Sequence, residues 1–121
     1  MTAVVVRQRP SASLADVKAQ LLAAFETTRA AIEAGDPVAL VVHAPDLLGQ
    51  GSLEDASVAT GLLGLMRAVM FEGGSKGWTV NVIAVAPDDE TPSPLVETIC
   101  TIGLTGQVLT TGTTGVGKVI P

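Results

Sequence analysis

Tyrosine is absent from this chain, and aromatic residues of any kind make up only 2% of it, namely Phe25, Phe71 and Trp78. With an apolar fraction of 47%, the core must be assembled from Val, Leu, Ile and Ala. Cysteine occurs once, at Cys100, which excludes an intramolecular disulfide and a thiolate metal cluster and fits a reduced, cytoplasmic setting. Basic residues are scarce: seven Lys and Arg stand against twelve Asp and Glu, a net charge of −5. Such a balance disfavours a phosphate-tracking surface and offers no basic run for an anionic membrane, so neither nucleic acid nor membrane is expected as a partner. The N-terminus shows no basic region followed by a long apolar run and cleavage site, and no apolar stretch approaches the roughly 18 residues of a membrane span. A single soluble, cytoplasmic domain over residues 1–121 is the expectation.

What is present alternates between short β-branched runs and longer amphipathic segments, the pattern of βα units around a parallel sheet. Ala3–Val6 reads as a strand. Ser13 and Asp16 form an S-x-x-D start signal for a helix from Leu14 to about Ala34, ended by Gly35-Asp36-Pro37. Val38–Val42 is a continuous apolar run suited to a strand covered on both faces, closed by Pro45. Ser52 and Asp55 repeat the start signal before a second helix from about Leu53 to Glu72, stopped by Gly73-Gly74. Thr79–Val85 is a third strand. Ser93 before Pro94 predicts a capped short helix through about Ile102, and Gln107–Thr111 a fourth strand followed by a glycine-rich tail. Right-handed crossovers place the strands in sequential order with helices on both faces. The fold class is therefore α/β, a Rossmann-like three-layer sandwich on a four-stranded parallel sheet.

Asp55-Ala-Ser-Val-Ala-Thr-Gly-Leu-Leu-Gly-Leu-Met-Arg-Ala-Val69 resembles the active-site helix of the short-chain dehydrogenase/reductase family, close to Tyr-Ser-Ala-Ser-Lys-Ala-Gly-Leu-Leu-Gly-Leu-Thr-Arg-Ala-Leu. Val17–Ala30 is similar to that family's Asn-Leu-x-Gly-x-Phe-x-x-Thr-x-Ala helix, Val80–Pro87 to its Val-Asn-x-Ile-x-Pro-Gly strand end, and Leu104–Leu109 with Gly112 to its closing Ile-Thr-Gly-Gln-x-Leu-x-x-Asp-Gly-Gly segment. The matches follow the order of the family's C-terminal half. In that frame the tyrosine falls on Asp55, the lysine on Ala59 and the asparagine on Gln20, while His43-Ala44-Pro45-Asp46 stands where the serine is expected. Asp88 follows Pro87 in place of glycine, and Val5–Pro10 occupies the place of the Asn-Asn-Ala-Gly strand end. The opening βαβ unit with its Gly-x-x-x-Gly-x-Gly turn has no counterpart, so the resemblance implies an N-terminally truncated, degenerate member without a dinucleotide cradle.

The family's mechanism needs a tyrosine made acidic by a lysine that also holds the nicotinamide ribose, and a serine that polarises the carbonyl. None of the four positions retains its residue, so no catalytic residue and no cofactor are expected. Asp55 is better explained as an acid near exposed helix amides. An alternative remains: His43, Asp46 and Asp55 as the polar groups of a strand-end crevice serving a non-redox enzyme or ligand binder. One histidine and scattered acids do not make a metal site, so no metal is expected. Gly112–Lys118 fills the first seven positions of a P-loop, but Val119 stands where the magnesium-binding Ser or Thr belongs. Cys100 lies in the apolar pattern Leu95, Val96, Ile99, Ile102 and reads as a small core residue. Arg7 and Arg9 beside Gln8 could hold an anion at a strand end, but charged strand ends are commonly just solvated.

The second helix is apolar almost all round, with Arg67 its sole charge between Ala56 and Phe71. A helix of that kind is expected to be buried on more sides than one sheet covers. The resemblance implies a four-helix subunit interface from the two long helices, with Leu22, Phe25, Val58, Leu62, Leu65, Met66 and Val69 as interface residues. The strand Ala3–Val6 would leave an uncovered edge, to be capped by the tail, a symmetry mate or another protein. The functional expectation is a non-catalytic short-chain-dehydrogenase-like subunit, either a homodimer or the partner of a full-length enzyme.

Overall fold

The computed structural model describes residues 3–86 and 93–111, with the backbone alone for residues 93–95. The readings that concern Asp88, the Ser93 cap, Leu95 and the Gly112–Lys118 tail lie outside the described residues. In chain order the elements are β1 (Val4–Arg7), α1 (Leu14–Ala34), β2 (Val38–His43), α2 (Ala44–Leu47), α3 (Leu53–Gly73), a 3-10 turn (Gly74–Lys76), β3 (Val80–Val85), α4 (Ser93–Thr101) and β4 (Val108–Thr111). The four strands are parallel in the order β1-β2-β3-β4, with Val4 opposite Val38, Val38 opposite Val80 and Val82 opposite Val108.

The helix starts follow the sequence signals. Ser13 Oγ accepts from the Asp16 N–H at 3.1 Å, and Ser52 Oγ from the Asp55 N–H at 3.1 Å. Gly35 ends α1 at φ 79°, a left-handed conformation that glycine adopts without steric penalty. One short helix was not foreseen: Pro45 does not simply close β2 but occupies the first turn of α2, where its missing N–H costs nothing.

Strand alternation sorts the core into two layers. Val38, Leu40 and Val42 of β2 with Val80, Val82 and Ala84 of β3 face α1 and α3, and meet Val17, Ala24, Val58, Leu62 and Met66. Ala39 and Val41 with Ile83 and Val85 face the other way, against Val96 and Ile99 of α4. Helices thus cover both faces, as the apolar runs of β2 and β3 require. Cys100 is half-buried beside this second layer, and burial raises its thiol pKa.

The apolar second helix is not buried all round. Val58, Leu62, Met66 and Val69 belong to this chain's own core, at most 8% exposed. A helix without polar markers does not reveal in sequence which stripe the sheet takes; here it takes these four, and of the residues named for an interface the outward ones are Leu22 and Phe25. Leu65 is half-buried, whereas Leu22, Phe25, Leu53 and Phe71 are exposed, Phe71 at 96%.

The turn after α3 depends on close approach. A methyl group on Gly73 would land inside the ring of Trp78. Gly73→Ala is therefore expected to destabilise the fold by about 1–3 kcal/mol through overpacking, read by urea denaturation with Trp78 fluorescence. An unchanged midpoint would contradict this packing.

Candidate functional site

Parallel strands end together, so the C-terminal edge of the sheet gathers β1's exit, β2's end with α2, and the start of α3. Gln8, one residue beyond β1, continues the ladder by donating its N–H to Val41 O at 2.8 Å. Its side chain is buried at this edge. Gln8 Oε1 accepts from the His43 N–H at 2.8 Å, while Nε2 donates to Asp46 Oδ2 at 2.9 Å and to the carbonyl of Asp55 at 3.2 Å. One amide thereby joins the ends of β1 and β2, helix α2 and the first turn of α3.

His43 and Asp46 do come together, with Nδ1 3.5 Å from Oδ2; the Asp46 side chain is nearly buried and that of His43 is 53% exposed. Asp55 is linked to the same network through its backbone carbonyl. Its carboxylate turns to the loop after β1, where Oδ1 accepts from the Ser11 N–H at 2.8 Å. Asp55 thus keeps the first-turn position foreseen for an acid, but what it satisfies is an amide of a distant loop. Gln20, at the position of the family's asparagine, pairs with Arg9 as a strand would: Oε1 accepts from the Arg9 N–H at 2.9 Å and Nε2 donates to the Arg9 carbonyl at 2.7 Å. The same Nε2 donates to Ser11 Oγ at 2.6 Å.

These contacts leave His43 and Asp46 as the one histidine–carboxylate pair among the described residues, with His43 solvent-facing. Two surface grooves, of about 330 and 210 Å³, lie elsewhere. The larger runs between the C-terminal halves of α1 and α3, lined by Phe25, Ile32, Leu65, Val69 and Trp78; the smaller lies beside β1. Neither is lined by His43, Asp46 or Asp55. Among the described residues, no group of three or more His, Cys, Asp or Glu is placed to hold a metal, and no helix is long and apolar enough to cross a membrane.

At the positions that the sequence resemblance equates with the family's tyrosine and lysine stand Asp55 and Ala59. Ala59 is completely buried and carries no polar side-chain atom, and the Asp55 carboxylate is engaged by Ser11. Gln8 and Ser11 are the site residues that sequence reasoning missed. Their partners His43, Asp46 and Asp55 lie 35 to 47 residues away, and a lone Gln or Ser carries no local signal of such a role.

Removing the Gln8 amide strands buried groups at once. Gln8→Leu is expected to cost about 1–3 kcal/mol for each group left unpaired, Asp46 and the His43 N–H foremost, whereas Asp55→Asn, which keeps an acceptor for Ser11, should cost far less. Equal losses in chemical denaturation would contradict the assigned roles. The Cys100 thiol, held protonated by burial, should react with iodoacetamide at mildly alkaline pH more slowly in the folded protein than in urea; equal rates would show that the burial has no effect.

No protein-family model matches the chain, and no curated protein does. Solved structures do. The chain is similar to acetoin dehydrogenase YohF from Salmonella typhimurium, with TM-score 0.60 and 15% identity, over 89% of this chain and 62% of that one. It is likewise similar to an apo SCOR enzyme from Clostridium thermocellum, with TM-score 0.62 and 16% identity, over 95% of this chain and 63% of that one. At such identities the likeness establishes the fold. The chain has a short-chain dehydrogenase/reductase-like fold, a Rossmann-like α/β sandwich, and spans just over three fifths of the length of these two structures.

Proposed function

We propose that the protein is a non-catalytic short-chain-dehydrogenase-like subunit, which assembles through its two long helices as a homodimer or with a larger enzyme of the same fold. One observation carries the reading: the side chains at three of the family's four catalytic positions are spent on the structure itself. Gln20 pairs with the Arg9 backbone, Asp55 receives the Ser11 amide, and Ala59 is core. A group that must polarise a carbonyl or pass a proton has to face its substrate with free hydrogen-bonding capacity.

The assembly surface is the outer side of α1 and α3. Leu22 and Phe25 of α1 and Phe71 of α3 are exposed, and the 330 Å³ groove between the helices adds half-buried Leu65. Large apolar side chains left in water next to a groove mark an interaction surface more than a solvated helix face. The exposed Thr60, Gly64 and Ala68 on α3 are small enough to admit a second helix closely.

Leu22→Glu with Phe25→Glu is expected to shift the protein from dimer or heteromer to monomer in native mass spectrometry of material from its own cells, with the thermal midpoint nearly unchanged because both positions are exposed. An assembly that survives both substitutions would overturn the helix interface.

A further inference from the structure

Strand β1 is an edge of the sheet, pairing with β2 alone among the described residues. In a parallel ladder, successive residues direct their backbone groups to opposite sides. Val4 and Gln8 donate inward, to Pro37 O and Val41 O at 2.8 Å each, so the N–H and C=O groups of Val5 and Arg7 point away from β2. They have no partner among the described residues. Val5 itself is 37% exposed.

Beside this edge, between β1 and α1, lies the 210 Å³ groove. Val6, Ala23, Ala24 and Thr27 form its sides, and Val58 and Leu62 its floor. A strand added to β1 would set every second side chain over this groove and the others next to Val5. Arg7 and Arg9 also line it. Their guanidiniums meet no carboxylate among the described residues, where the arginine–carboxylate pair is Arg29 with Glu33. Two cations that meet no carboxylate among the described residues, beside an apolar groove in a chain of net charge −5, define what the occupant must carry.

We propose that β1 is a docking edge for an extended apolar segment of another protein, which adds as a fifth strand and places carboxylates against Arg7 and Arg9. A second copy of this chain is a poorer occupant. Pairing two β1 strands across a twofold axis would bring Val-Val-Val-Arg against itself and leave both pairs of guanidiniums without an acid. The surface is separate from the outer helix faces and does not depend on their role.

The test uses capped synthetic peptides with a Val-Thr-Val-Thr-Val core carrying Glu-Glu at either end, against the same core with Lys-Lys. A Glu peptide is expected to bind in calorimetry and to slow hydrogen exchange of the Val5 and Arg7 amides about tenfold, while the Lys peptides do neither. Arg7→Glu with Arg9→Glu should reverse the preference. Val5→Pro removes an N–H that points out of the ladder, so it should abolish binding with little change in thermal midpoint. Equal binding of Glu and Lys peptides, binding without protection of Val5 and Arg7, or no binding would overturn the proposal. So would concentration-dependent protection of these amides without peptide, which would assign the edge to a second copy.

Discussion

The primary amide of Gln8 is the contact on which the C-terminal edge of the sheet depends. It fills the space between two strand ends and two helices, and three of its hydrogen bonds reach residues distant in sequence. Buried amides and carboxylates are costly when unpaired and only modestly favourable when paired, so such a cluster is held together mainly by what its loss would expose. Asp46, nearly buried, is tolerated there because Gln8 donates to it and His43 lies alongside. Gln20 and Asp55 extend the same logic to the loop after β1, binding the backbone of Arg9 and Ser11. At this edge the side chains of Gln8, Gln20 and Asp55 are thus engaged by the chain's own hydrogen bonds, while His43 remains half exposed.

Burial divides the remaining surface. The sheet takes Val58, Leu62, Met66 and Val69 from α3, and Val17, Ala24 and Ala31 from α1. The two helices approach each other at Gly61, where Leu21 occupies the space a side chain would need. Their outer faces keep Leu22, Phe25 and Phe71 in water, and among the described residues β1 is an edge paired on one side only. The aliphatic composition that leaves the chain without tyrosine also supplies the apolar side chains of both surfaces, on which the proposed contacts with other chains rest.

The strands and long helices were legible because their signals are local. Continuous apolar runs marked β2 and β3, and Ser13 and Ser52 marked the helix starts, each confirmed by a side-chain cap. The buried stripe of α3 was not legible. Apolar residues surround that helix, so periodicity alone could not separate Val58 and Leu62, which face the sheet, from Phe71, which faces water. The network around Gln8 was illegible for a different reason: it is made by tertiary proximity between residues whose types are unremarkable singly. His43 and Asp46 were identifiable as neighbours, three residues apart at a strand end, but that Asp55 would turn its carboxylate to Ser11 follows only from the packing of α3 against the β1 exit.

The central claim is that this short-chain-dehydrogenase-like fold no longer carries the family's redox site. It is tested most directly by calorimetric titration of the purified protein with NADH and with NADPH up to roughly 1 mM. The account predicts no saturable binding of either. Saturable binding of one dinucleotide, weakened by Asp55→Ala, would contradict it and return the strand-end residues to a catalytic role.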